Sequence, residues 1–209
     1  MDGHRHTEYL VMRHGQSTAD VSVPAICEGR LDTPLSKKGL EQARLAADWI
    51  AQTFPPDRII SSTLSRAAMT ADEIAGRTGV AVEHDDALME RNNGVLAGMI
   101  REEARSKGLL RRCAPGETVE GGETLIALRA RAELFWSSLP GQKTAGRRIL
   151  IVSHGQMIDM LFQCFLGLPL EERLHLRTGD TGIHCWRAGT EGRSILFCNS
   201  QEHLPIHLR

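Results

Sequence analysis

The chain predicts an α/β fold, a three-layer sandwich with a mainly parallel central sheet and helices on both faces. Three observations predict it. Apolar runs of strand length alternate with longer stretches whose apolar residues recur every three or four positions, the pattern of units that build parallel sheets. Two of the runs, Tyr9-Leu10-Val11-Met12 and Ile149-Leu150-Ile151-Val152, are continuously apolar, as strands covered on both faces are. Each leads into a His-Gly pair, His14-Gly15 and His154-Gly155. Open α/β sheets bind ligands at the C-terminal edge of their strands, so the two histidines suggest one site. Two histidines beside Arg13 suit a phosphate.

The elements follow in order. Residues 1–7, with His4 and His6, read as a loose, solvated terminus before a strand over 9–13. Residues 17–36 carry two prolines and a glycine among polar residues and read as a loop. Ser36 then caps a helix whose Leu40, Ala43, Ala47 and Ile50 share a face, ended by Pro55-Pro56. Arg58-Ile59-Ile60-Ser61 is a short strand. Ser62 or Ser65 starts the next helix, through Ala68, Ala71 and Ile74, stopped near Gly76 and Gly79. Ala81-Val82 is a further strand. Residues 84–122 give weak signals: a turn at 90–94, a helix over 101–110, and a loop over 114–122. Thr124 starts a helix through Leu128, Ala132 and Phe135. A central strand over 148–153, a helix over 157–166 and strands near 182–187 and 194–199 complete the chain. The 209 residues form a single domain, with no repeat or linker.

Composition is ordinary for a globular protein: 41% hydrophobic, 24% charged, net charge −1. That charge gives no general attraction to nucleic acid or anionic membrane. The five cysteines, Cys27, Cys113, Cys164, Cys185 and Cys198, are scattered and form no CxxC pair, which points to a reducing compartment. No apolar leader opens the sequence, and its most apolar window, 157–170, is broken by Asp159, Gln163, Gly167 and Pro169. A cytoplasmic protein is expected. The sequence specifies no oligomeric state.

Ordered motifs sharpen the reading. Leu10 to Ser17 is LVMRHGQS. Gly29-Arg30-Leu31-Asp32-Thr33-Pro34-Leu35-Ser36 precedes Gly39 and Gln42. Ser61-Ser62-Thr63-Leu64-Ser65-Arg66-Ala67 precedes Thr70. Glu90-Arg91 precedes Gly94 and Gly98. Gly121-Gly122-Glu123-Thr124 and Val152-Ser153-His154-Gly155 follow. In this order, across nearly the whole chain, the set resembles the histidine phosphatase (phosphoglycerate mutase-like) superfamily. The resemblance implies a phosphoglycerate mutase-like fold and a small phosphorylated substrate. It implies catalytic roles for His14, Glu90, Arg13, Arg66 and His154. Substrate-binding positions are implied at Arg13, Gly15, Asp20, Glu28, Gly29, Arg66, His154 and Gly155.

The chemistry suits those residue types. Guanidinium groups hold a phosphoryl dianion by paired hydrogen bonds and stabilise its transition state. The same charges oppose imidazolium formation, keeping a lone pair on His14 for in-line attack. A backbone carbonyl near Gly15 would fix the other ring nitrogen. Gly15 would let the backbone approach the phosphate closely. His154 would donate to the transferring group. Glu90 would protonate the leaving oxygen and then activate water to hydrolyse phospho-His14. The arginines supply the positive charge, and no metal-binding motif or cofactor is expected.

Some residues depart from the family pattern. Gln16 stands for a frequent Glu, and Leu96-Ala97 for a frequent Trp-Glu. Asp20 and Asp180 stand where many members carry asparagines near the phosphate. A carboxylate repels a dianion, so an Asp lining the pocket would weaken phosphate binding at neutral pH and favour acid or a cationic substrate group. Arg111-Arg112 resembles the pair that holds a substrate carboxylate in mutases, but the surrounding segment is short. Hydrolysis of a small phosphomonoester is therefore favoured over mutase transfer. The tail Phe197 to Leu204 resembles the fructose-2,6-bisphosphatase-type branch, a hint toward a sugar phosphate. A catalytically weak binding module is the third reading.

Overall fold

The structure, a computed structural model, describes residues 6–111, 113–139, 146–172 and 174–209. Six strands form one sheet: β1 (His6–Arg13), β2 (Arg58–Ser61), β3 (Val82–His84), β4 (Arg148–Ser153), β5 (Ile183–Gly189) and β6 (Gly192–Ser200). Their order is β3-β2-β4-β1-β5-β6. The first four run parallel; β5 is antiparallel to β1, and β6 pairs with β5 as a hairpin.

Alternation along β1 sorts its side chains to two cores. Leu10 and Met12 pack with Ala46, Ala47 and Ile50 of α1 (Lys37–Thr53) and Ala67, Ala71 and Ile74 of α2 (Ser65–Thr78). Tyr9 and Val11 face the other side, toward Leu128, Ala132 and Phe135 of α4 (Leu125–Ser138) and Met157, Ile158 and Leu161 of α5 (Gly155–Leu166). The three-layer sandwich expected from the sequence is present. Leu10, Val11, Ile59, Leu150 and Ile151 are fully buried, each such side chain contributing about 1.5–3 kcal/mol.

Caps explain several boundaries. Ser36 Oγ accepts from Gly39 N at 3.0 Å, and Thr124 Oγ1 from Ala127 N at 3.1 Å, as expected. α2 ends at Gly79, in the left-handed region at φ 73°. It runs through Gly76, where an added Cβ would meet open space.

Other expectations need correction. His6 and Thr7 are strand residues, not loose terminus, because β1 extends to pair with Ala188 and Gly189 of β5. Residues 1–5, including His4, lie outside the described residues, as does Arg112 of the arginine pair. The helix expected over 101–110 is only α3 (Arg101–Ser106); the chain turns at Gly108, φ 66°. The third strand lies at Val82–His84 rather than 81–82. Neither Ser62 nor Ser65 caps α2, whose N-cap is Leu64.

Candidate active site

Register builds the site. In the β1–β4 ladder Arg13 pairs with Ser153, so the next residues, His14 and His154, leave the same sheet edge side by side. Their ring centroids lie 4.9 Å apart. His14 N donates to Ser153 O at 3.1 Å, and Thr181 N donates to His14 O at 3.2 Å, clamping the backbone from both neighbouring segments.

The His14 ring is 2% exposed as a residue, and its tautomer follows from its partners. Arg66 Nε, which can only donate, lies 3.2 Å from His14 Nε2. His14 Nε2 therefore carries the lone pair, and Nδ1–H donates to Gly15 O at 2.7 Å. The carbonyl expected near Gly15 is Gly15's own. Burial first, then Arg13 and Arg66, holds the His14 pKa well below the ordinary histidine value. His154 is lowered likewise, by burial, His14 and the arginines. Its Nε2 lies 2.8 Å from Ser62 Oγ, while its Nδ1 is buried with no protein partner.

Arg66, 1% exposed, sits in α2 and is fixed by the loop before α1. It donates to Gly29 O at 2.7 Å and Leu31 O at 3.0 Å, and Glu28 Oε1 lies 3.5 Å from Nη1. Glu28 also accepts from Thr33 Oγ1. Gly29 adopts φ 56° against the Asn93 side chain, a conformation that favours glycine. Arg13 donates to Thr178 O at 3.2 Å, and its Nε is buried and unpartnered.

Asp180 Oδ1 and Asp20 Oδ1 lie 3.5 and 3.8 Å from Arg13 Nη2. Both aspartates thus flank the arginine at the site. Asp20 is held by Ser17 N at 2.8 Å and Ser17 Oγ at 3.0 Å. Burial raises the Asp180 pKa against the pull of Arg13.

Glu90 faces this cluster from the loop after β3. Its oxygens accept from Arg91 N at 2.8 Å and Gln156 N at 3.2 Å. Burial raises its pKa, opposed by those two N–H groups and by Arg66 and Arg13. Gly155 opens α5 beside it; an added Cβ would lie 3.9 Å from Glu90 Oε2. A hollow of about 290 Å³ is lined by Arg13, His14, Glu28, Glu90, Gly155 and Gln156, among others.

Gly15 also packs closely against the protein itself. An added Cβ would meet Gly39 O at 2.5 Å, so its close approach is to the first turn of α1. Gly15 N donates to Thr70 Oγ1 at 3.1 Å, and Thr70 Oγ1 donates to Arg66 O at 2.7 Å. Sequence reasoning assigned no role to Thr70, to Ser62 as the partner of His154, or to Thr178. Ser62 and Thr70 lie four residues before and after Arg66 in the quoted motifs, a spacing that could have flagged them. His175 and Asp159, paired at 2.9 Å on the rim, carry no such signal.

Burial of imidazoles contributes to acid sensitivity. His14, His154, His184 and His203 all have lowered pKa values, the last two to about 4. In the unfolded chain they titrate near the ordinary value of about 6.5. Below that pH the unfolded state binds more protons than the folded state, so these groups make stability fall as pH drops. Each adds a slope of up to about 1.4 kcal/mol per pH unit. Urea unfolding between pH 6.5 and 4.5 is expected to show a shallower loss of stability in His184→Gln than in the parent chain. Equal slopes would remove His184 from the account.

A buried histidine pair and two arginines at the C-terminal edge of a mainly parallel sheet make an enzyme site suited to phosphoric monoesters. The chain belongs to the histidine phosphatase superfamily (branch 1), whose family model matches residues 9–201. It is 33% identical over 176 residues to the probable phosphoglycerate mutase GpmB of Yersinia pestis (strain Pestoides F), covering 81% of this chain and 80% of that one. It superposes on a mycobacterial glucosyl-3-phosphoglycerate phosphatase with a TM-score of 0.80 at 26% identity, over 94% of this chain and all (100%) of the other. A putative alpha-ribazole-5'-P phosphatase from Escherichia coli shares the fold, with a TM-score of 0.81 at 22% identity over 93% and 97% of the two chains. Among the described residues no helix is long and apolar enough to cross a membrane.

Proposed function

We propose that the protein hydrolyses a small phosphomonoester through phospho-His14, without a metal, in a reducing, cytoplasmic setting suited to its five free cysteines. The observation that carries this reading is the His14 tautomer: Nδ1 is fixed to Gly15 O, and Nε2 keeps its lone pair beside Arg66. The unpartnered donors nearby, Arg13 Nε and His154 Nδ1, support it. Ser62 Oγ accepts from Leu64 N at 3.3 Å and lies 2.8 Å from His154 Nε2, and in this reading its hydroxyl donates to that nitrogen. That leaves a hydrogen on His154 Nδ1 for a phosphoryl oxygen.

Substrate phosphate takes over the Arg66 Nε hydrogen bond, freeing His14 Nε2. Nε2 attacks phosphorus and the phosphorus–oxygen ester bond breaks. Protonated Glu90 delivers its proton to the leaving oxygen. Water then attacks phosphorus, Glu90 takes the water proton, and the electron pair of the broken nitrogen–phosphorus bond returns to Nε2. Arg13 and Arg66 hold the equatorial oxygens throughout.

The test is turnover of p-nitrophenyl phosphate and of sugar and glycerate phosphates across pH 4–8, with acid-labile, base-stable phosphate traced on the protein. Free phosphate as product supports the reading. The likeness to a probable phosphoglycerate mutase supports transfer as a second reading. Isomerised glycerate phosphate with little free phosphate would establish that instead. Absence of turnover on every substrate would favour a binding module.

The two aspartates at Arg13 give a separable prediction. Ionised Asp180 competes with a bound dianion for Arg13, so anion affinity rises as pH falls and Asp180 gains a proton. Sulfate, whose charge is constant over pH 5–8, is expected to bind Asp180→Asn several-fold more tightly at pH 8 and with a flatter pH dependence. Calorimetric titration checks this, and unchanged affinity and slope would place Asp180 outside the anion field.

A further inference from the structure

The hollow at His14 opens into a second, larger space. Arg13, Glu90 and Gln156 line both, and the larger cavity measures about 770 Å³. At about 30 Å³ per water, that is room for roughly 25 waters, far more than a glycerate needs. Its size falls within the range of about 300–1,000 Å³ usual for larger organic ligands.

Among many polar residues, two segments contribute apolar side chains to the lining. Leu96, Leu110 and Val119 line the cavity from the segment between Glu90 and α4. Met160, Leu170 and Leu174 line it from α5 and the chain that follows. Leu110 is 41% exposed, an aliphatic side chain facing water beside the site. Arg101 and Arg111 also border the cavity, and both are exposed on its rim, with no ion pair among the described residues. They would suit a carboxylate; the aliphatic side chains suit a ring or branched hydrocarbon.

We infer that the preferred substrate is a phosphomonoester whose alcohol carries a bulky apolar body, seated between the Leu96/Leu110/Val119 wall and the Met160/Leu170/Leu174 wall. This rests on phosphate occupying the His14 hollow, as proposed above. Such a body covers the exposed Leu110 and the open parts of Val119, Leu170 and Leu174, while Leu96 and Met160 are already buried behind them. Each methylene transferred from water into an apolar site contributes about 0.8 kcal/mol, so two well-buried methylenes already correspond to a preference of about tenfold.

Phosphonates test this without turnover, because their carbon–phosphorus bond is not hydrolysed. Calorimetry on the whole chain would compare 3-phenylpropylphosphonate, ethylphosphonate and 3-phosphonopropionate. The phenylpropyl compound is expected to bind at least tenfold more tightly than the ethyl compound. Leu110→Asp, a change at a partly exposed position, is expected to reduce that ratio toward one. Equal affinities for the first two compounds, or a ratio untouched by Leu110→Asp, would overturn the inference. So would tightest binding of 3-phosphonopropionate, which would assign the cavity to a carboxylate held by Arg101 and Arg111. Failure of the hydrolytic reading shows separately, as absent turnover with the phosphonate preference intact.

Discussion

His14→Ala is expected to lower kcat for p-nitrophenyl phosphate by at least about 10⁴-fold, because His175, the other imidazole lining the hollow among the described residues, is tied to Asp159 on the rim and has no arginine placed beside it as His14 has Arg66. His154 sits in the same cluster, but its Nε2 faces Ser62 rather than the hollow. Glu90 is engaged by two backbone N–H groups. The substitution leaves the anion donors in place: Arg13 Nε, His154 Nδ1 and the Arg66 guanidinium, with Arg66 Nε released from the imidazole. Sulfate affinity is therefore expected to stay within a few-fold of the parent value while turnover disappears. This pairing separates chemistry from folding and binding. Phosphate incorporated into the parent protein and absent from His14→Ala would locate the intermediate. Retained turnover in the variant would reject His14 as nucleophile, whatever else the fold supports.

The strands that carry this histidine were legible because burial on both faces demands continuous apolar sequence. Leu10-Val11-Met12 and Leu150-Ile151-Val152 have no polar residue to hide. Their register was not legible. The pairing of Arg13 with Ser153 arises from packing across the sheet, yet it is what sets the two imidazoles side by side. Ser36 and Thr124 were readable as caps because a cap is a local interaction. Ser62 was misread as one: its hydroxyl turns to His154, ninety-two residues away in the chain. The segment from 84 to 122 resisted reading for a physical reason. It contains two 3₁₀ turns, Asp86–Leu88 and Gly94–Leu96, the six-residue α3, and isolated bridges such as Ile26↔Ile100, all too short to impose a periodicity. Arg13, Arg66 and Glu90 were visible as residue types within motifs. Asp20 and Asp180 were legible as carboxylates near the phosphate, and both stand beside Arg13; the pairing of Glu28 with Arg66 was not, because it depends on how a separate loop packs on α2.

Glu90→Gln is expected to divide the two halves of the reaction. p-Nitrophenolate leaves without a proton, so attack by His14 proceeds in the variant at close to the parent rate. Hydrolysis of phospho-His14 still requires a base for water, and its loss costs about 10²–10⁴-fold. Rapid mixing should then show a burst of p-nitrophenol equal to the enzyme concentration, followed by slow turnover. An alkyl phosphate needs the proton in the first step, so the variant should show no burst and a loss of similar size. The pH dependence has a definite sign. Burial raises the Glu90 pKa, so the acid form persists above the ordinary carboxylate range, and alkyl phosphate turnover falls as pH rises through that raised value. His14, held neutral by burial and the arginines, adds no acid limb near its ordinary value. In Glu90→Gln the fall with pH should vanish. A variant with no burst, parent-like alkyl phosphate turnover and an unchanged pH profile would remove Glu90 from the proton path and leave the leaving group's proton to another donor at the cavity rim, where the His175–Asp159 pair is the group in reach.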